Sequence, residues 1–124
     1  MKIQKAATWF GIVLLLVGIL GFIPGLTPEG RLLGIFAVDG VHNVIHLLTG
    51  IVALFCAGSA SAAKGYFKTF GVIYLLVTIL GFVQGSGELL GLISINGADN
   101  VLHLLITIVA LSLGFSGPKP AMNA

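Results

Sequence analysis

Four stretches of the chain, residues 6–23, 42–57, 69–83 and 100–115, contain no Lys, Arg, Asp or Glu. With a few flanking residues, each is near the minimum for crossing a hydrocarbon core of about 30 Å at about 1.5 Å per helical residue. Charged residues fill only 8% of the 124 positions, while 57% are hydrophobic. An average soluble domain carries about 25% charge. So small a supply cannot cover a globular surface, which excludes a soluble enzyme, a nucleic-acid binder and a disordered regulator. The net charge of +2 implies no phosphate-binding surface either. One domain of four spans with short connections fits the length.

The charges orient those spans. Lys2, Lys5, Lys64, Lys68 and Lys119 fall at the N-terminus, in the central connection or in the tail. Arg31 alone joins the four acids, Glu29, Asp39, Glu88 and Asp99, in or beside the other two loops. The positive-inside rule then puts both termini and the central loop in the cytoplasm, with the loops around residues 25–41 and 84–98 facing outward. The first span follows Lys2 and Lys5 as a secretory signal would. No small-x-small cleavage site comes after Ile23-Pro24-Gly25, however, and nearly the same segment recurs mid-chain. It reads as a retained helix.

That recurrence is a duplication. FGIVLLLVGILGFIPG at 10–25 aligns with FGVIYLLVTILGFVQG at 70–85, an offset of 60. At an offset of 57, Leu32-Leu33-Gly34 matches Leu89-Leu90-Gly91, NVIHLL at 43–48 matches NVLHLL at 100–105, and IVAL at 51–54 matches IVAL at 108–111. Two spans per copy insert both copies the same way up, about an axis along the membrane normal. Gly11, Gly18, Gly21 and Gly25 share one helical face, mirrored by Gly71, Thr78, Gly81 and Gly85. His42, His46, Gly50, Ala53 and Ala57 share another, mirrored by Asp99, His103, Thr107, Ala110 and Gly114. Such small residues let backbones approach in lipid, where no hydrophobic drive acts between helices. The outer segments at 32–40 and 89–97 repeat as well. Each is a short apolar piece ending in a D-G or N-G turn signal, and Ile93-Ser94-Ile95 favours an extended form.

The polar residues inside the spans carry the functional question. All three histidines lie at the outward starts of the second and fourth helices, with His42 matching Asp99, Asn43 matching Asn100 and His46 matching His103. His42/His46 and Asp99/His103 are i,i+4 pairs on one face each, and in an up-down bundle those helices meet across the centre. The first reading is structural: Asn43, His46, Asn100 and His103 hydrogen-bond one another, the loops or water, and Asp99 serves as an N-cap or first-turn acid. The second is a metal site for zinc or iron built from His42, His46, Asp99 and His103. The third is a b-type haem held by His46 and His103.

Other chemistries find no support. Cys56 is the only cysteine and reads as a small hydrophobe, since it can form neither an intrachain disulfide nor a paired-thiolate site. No G-x-S-x-G elbow, phosphate-cradling loop or H-E-x-x-H motif occurs, and Ser86 has no base beside it. A four-span drug/proton exchanger needs a carboxylate buried mid-span, and these spans have none.

The segment H-N-V-I-H-L-L-T-G at 42–50, with Leu32-Leu-Gly-Ile-Phe36 before it and Gly18-Ile-Leu-Gly-Phe-Ile-Pro-Gly25 ending the first span, resembles a bacterial membrane family known as domain of unknown function 4383. The resemblance covers about residues 7–114. It implies a small four-helix protein of the bacterial inner membrane and assigns no reaction. The second copy departs from the motif at Asp99 and Thr107, so two identical half-sites are not implied. The expected fold is an all-α membrane protein, a four-transmembrane-helix bundle of two parallel two-helix repeats at about residues 6–58 and 66–115. The expected function is that of a non-enzymatic structural or accessory component without a cofactor. Its partners would be the bilayer and a homo-oligomer or larger membrane complex, with no nucleic acid. The alternative is a metal- or b-haem-binding protein using the paired histidines.

Overall fold

A computed structural model describes residues 2–115 of the chain, so the position of Lys119 lies outside the described residues. Helix α1 (Ile3–Leu20) leads through two short 3-10 turns, Pro24–Leu26 and Pro28–Gly30, into the antiparallel hairpin β1 (Arg31–Leu32) and β2 (Phe36–Ala37), then helix α2 (Gly40–Cys56). Helix α3 (Ala60–Gln84), hairpin β3 (Gly87–Leu89) and β4 (Ile93–Ile95), and helix α4 (Gly97–Phe115) follow in the same order. Three helices, α1, α3 and α4, are long and apolar enough to cross a membrane, whereas α2 stops at 17 residues.

The helices pack chiefly as two antiparallel pairs, α1 on α2 and α3 on α4. Glycine makes the first contact possible: a Cβ on Gly11 would stand 2.8 Å from the Gly50 carbonyl oxygen, and one on Gly50 would stand 2.8 Å from that of Gly11. In the second pair, Gly71 meets Leu111 and Gly114 meets the Lys68 backbone. Gly25 and Gly85, placed by periodicity on the same stripes, lie beyond their helices, and a Cβ on either would meet nothing within 4 Å. Pro24 explains the first case, because a residue without an N–H cannot extend α1. Ala7, Ala53, Ala63 and Ala110 are fully buried around Phe67 and Tyr66, so the core at this end is built from methyl groups and two rings. Leu, Ile, Val and Phe cover the outside, among them Leu16, Leu48, Leu76 and Leu105, each more than half exposed.

Two sequence expectations need correction. Lys64 and Lys68 are not in a loop; α3 begins at Ala60, with the Ser59 hydroxyl accepting the Ala62 N–H as its cap. The connection between α2 and α3 is only residues 57–59, and the lysines ride on the first turns of a helix that outruns its apolar stretch. Asp39-Gly40 and Asn96-Gly97 are not turns either. Asp39 Oδ1 accepts the His42 N–H at 2.8 Å and Asn96 Oδ1 accepts the Asp99 N–H at 3.0 Å, which makes both residues helix N-caps. The hairpin turns fall earlier, where Leu33 and Leu90 both take φ 55° and the glycines after them φ 74° and 70°. Leucine is uncommon in that region, while glycine meets no Cβ penalty there.

Candidate metal centre

Both hairpins sit at the end of the bundle opposite Lys2, Lys5, Lys64 and Lys68, and they are joined to each other. The Ser94 N–H donates to Asp39 Oδ2 at 2.9 Å, and Asn96 Nδ2 donates to the Ile35 carbonyl at 2.9 Å. Leu32, Leu89 and Ile95 are buried beneath them. Burial works against the charge on Asp39, but the His42 and Ser94 N–H groups outweigh it and hold the carboxyl below the usual carboxylate range, helped by the His42 ring nearby.

Under this cap lie the three histidines. His42 and His46, one turn apart on α2, and His103 on α4 are 1%, 2% and 3% exposed. Their ring centroids are 4.5 Å (His42–His46), 5.5 Å (His42–His103) and 6.2 Å (His46–His103) apart. One ligand nitrogen from each can be chosen so that all three lie within 4.8 Å of one another. His42 Nδ1 is 2.8 Å from the Ser94 carbonyl oxygen. A carbonyl only accepts, so Nδ1 carries the proton and Nε2 presents its lone pair. His42 Nε2, both nitrogens of His46 and His103 Nδ1 are buried with no hydrogen-bond partner among the described residues.

The other sequence candidates lie elsewhere. Asp99 stands outside this group: its carboxylate accepts the Asn96 N–H at 3.0 Å and faces the Ala37 backbone. Asn100 turns to α3, where Nδ2 donates to the Gly81 and Gly85 carbonyls at 3.0 and 2.8 Å. Gly81 is in the last turn of α3 and Gly85 is its C-cap, so a side chain from the neighbouring helix serves helix-end acceptors. Asn43 lies against Gly21, whose missing Cβ leaves room for its side-chain oxygen, as Gly81 does for Asn100. Asn43, Asn100, His46 and His103 therefore do not form one hydrogen-bonded cluster. The asparagines join helices within each pair, while the histidines converge between the pairs.

A cavity of about 180 Å³ between α2 and α3 is lined by all three histidines together with Thr49 and Tyr74. Tyr74 and Tyr66 donate to the Thr49 hydroxyl and carbonyl at 3.3 and 3.0 Å, and the Tyr74 ring lies 5.8 Å from that of His103. Beside them the Thr78 and Thr107 hydroxyls are 3.1 Å apart. Sequence reasoning passed over Tyr66, Tyr74 and Thr49. Positions 66, 74 and 78 fall on one helical face, a polar edge in an otherwise apolar span. A larger cavity, about 410 Å³ between α1 and α4, reaches His46 but is otherwise apolar. The converging polar side chains line the smaller one.

No curated protein and no solved structure is similar to the chain. Residues 4–116 match the domain of unknown function DUF4383, and with nearly its whole length inside that match the chain belongs to this family.

Proposed function

We propose that the protein is a four-span integral membrane component formed of two tandem, parallel hairpins. Both termini and the α2–α3 connection lie in the cytoplasm, and the two β-hairpins form its outward face. The observation that carries this reading is the segregation along the bundle axis. Lys2, Lys5, Lys64 and Lys68 occupy one end, the acidic hairpins the other, and an exposed aliphatic belt lies between. Its 17 residues give α2 a length of about 25 Å. That falls short of a hydrocarbon core of about 30 Å by an amount that local thinning accommodates. The equivalent turns at Leu33-Gly34 and Leu90-Gly91 support the duplication.

The role we assign is structural or accessory rather than enzymatic, in a bacterial inner membrane. The bonds between the hairpins, Asp39 with Ser94 and Asn96 with Ile35, favour a fixed outer cap. The test is accessibility labelling of single cysteines at Lys64 and Glu88 in a Cys56→Ser background. Modification of position 88 only from the outside and of position 64 only from the cytoplasm is expected. Labelling of both from one side overturns the arrangement.

A further inference from the structure

We propose that His42, His46 and His103 bind a single transition-metal ion of the zinc class, leaving one coordination position open to the cleft between α2 and α3. The membrane topology can hold or fail independently of this site.

The argument begins with the unpartnered nitrogens. Neutral imidazole has one acceptor, and here acceptors from three rings converge in a space nearly closed to solvent. Lone pairs facing one another repel, and an unsatisfied buried polar atom costs about 1–3 kcal/mol. A group that accepts electron pairs from several directions at once removes that cost, and a metal ion does so most fully. Tetrahedral zinc, with Zn–N of about 2.0–2.1 Å, sets its ligand nitrogens about 3.4 Å apart. The separations here, at most 4.8 Å, close to that value through side-chain rotations of about 1 Å.

His42 is already oriented for the task. Its Nδ1–H is held by the Ser94 carbonyl while Asp39 holds the Ser94 N–H, a chain from carboxylate through peptide to ring. Metal-bound histidines commonly give their second nitrogen to such a partner, which fixes the tautomer and raises ligand basicity. Ser94 belongs to the second half of the chain and His42 to the first, so a bound ion would tie the two helix pairs together.

The donor set narrows the ion. Three imidazoles with neither thiolate nor carboxylate in the group suit zinc, copper, nickel or iron and disfavour magnesium or calcium. Three protein ligands with a vacant fourth position are the pattern of zinc sites that exchange a water or small ligand, whereas structural sites close all four. The geometry favours a bare ion over haem, because the His42 ring, 4.5 Å from His46 and 5.5 Å from His103, occupies space a macrocycle between those two would need.

The full chain, purified in detergent and stripped with chelator, should take up one equivalent of zinc by elemental analysis. Cobalt(II) should give the intense visible bands of a four-coordinate nitrogen site. His46→Ala and His103→Ala should each weaken zinc binding about 100-fold or more, and Asp39→Ala about 10-fold through His42. Should an alanine variant lose its helical circular dichroism, His46→Gln and His103→Gln take its place. Sub-stoichiometric zinc in folded wild-type protein, unchanged affinity in the folded variants, or octahedral cobalt spectra would each overturn the proposal and leave the chamber to water.

Discussion

The contact between Gly11 and Gly50 can be tested with a single methyl group. Alanine at position 50 places its Cβ 2.8 Å from the Gly11 carbonyl oxygen and 2.9 Å from the Leu15 amide nitrogen. Both are backbone atoms of α1, so no side chain can turn away. Restoring ordinary contact near 3.4 Å requires the helices to part by about 0.6 Å, the difference between 3.4 and 2.8 Å. A gap of about 0.5–1 Å forfeits a quarter to a half of each dispersion well of about 0.1–0.2 kcal/mol. Over about twenty atom pairs at the crossing this amounts to about 1 kcal/mol, within the range of about 1–3 kcal/mol for overpacking. Alanine also gains about 0.8–1 kcal/mol in helix propensity over glycine, which would mask much of the loss if Gly50→Ala were measured alone. Gly65, exposed in α3 with nothing within 4 Å of its would-be Cβ, supplies the control. Both variants share the propensity gain, so their difference isolates the contact. Denaturant titration in detergent micelles, followed by circular dichroism, should place Gly50→Ala at least about 1 kcal/mol below Gly65→Ala. Equal stability of the two would refute the claim that α1 and α2 are in backbone contact there.

Asn100→Ala removes both donors to the Gly81 and Gly85 carbonyls. It should cost about 1–2 kcal/mol in the same titration, and an unchanged midpoint would show that this cross-helix cap contributes nothing. Asp39 makes a prediction in acid. Its pKa is lowered on folding, so its contribution is present above the ordinary value of 3.8 and is lost as pH falls through the still lower folded value. The gap in thermal stability between wild type and Asp39→Asn should hold from about pH 7 to 5 and close below about pH 4. A gap that persists undiminished at about pH 3 would mean the carboxylate charge is not what holds the cap.

Helix existence was legible because long apolar helices announce themselves by the charges they lack, and the stripes at Gly11, Gly18 and Gly21 are a local, periodic property. The ends of the helices were harder to read. The apolar stretch at 69–83 has no charged residue, but hydrogen bonding carries α3 nine residues further back, through Lys68 and Lys64, to a start at Ala60 behind the Ser59 cap. The turns at Leu33 and Leu90 were hidden for a different reason. Leucine gives no local turn signal, yet Leu33 and Leu90 take the left-handed conformation directly after the buried Leu32 and Leu89. At the site, the i,i+4 spacing put His42 beside His46, and the expected meeting of the second and fourth helices brought His103 to them. It could not say that Asp99 would face backward to its own cap, because an acid at the third helical position and an acid reaching a neighbouring helix look the same in one dimension.

The difference between the two halves at that position follows from helix-end chemistry. The hairpin-side starts of α2 and α4 each keep one acid near the positive dipole end, but at different places. In α4 the cap is the amide of Asn96 and the acid is Asp99 at the third position, the two side chains each taking the other's N–H as a reciprocal capping box. In α2 the acid is the cap itself, Asp39, which satisfies the His42 N–H with one oxygen and the opposite hairpin with the other. Moving the acid from third position to cap relieves residue 42 of any capping duty, and its imidazole turns into the chamber. The chain therefore offers one three-histidine group rather than two weaker pairs. Exchanging Asp99 for histidine would not create a fourth ligand without first exchanging Asn96 for aspartate, since the helix would lose its cap partner and its only first-turn acid in the same step.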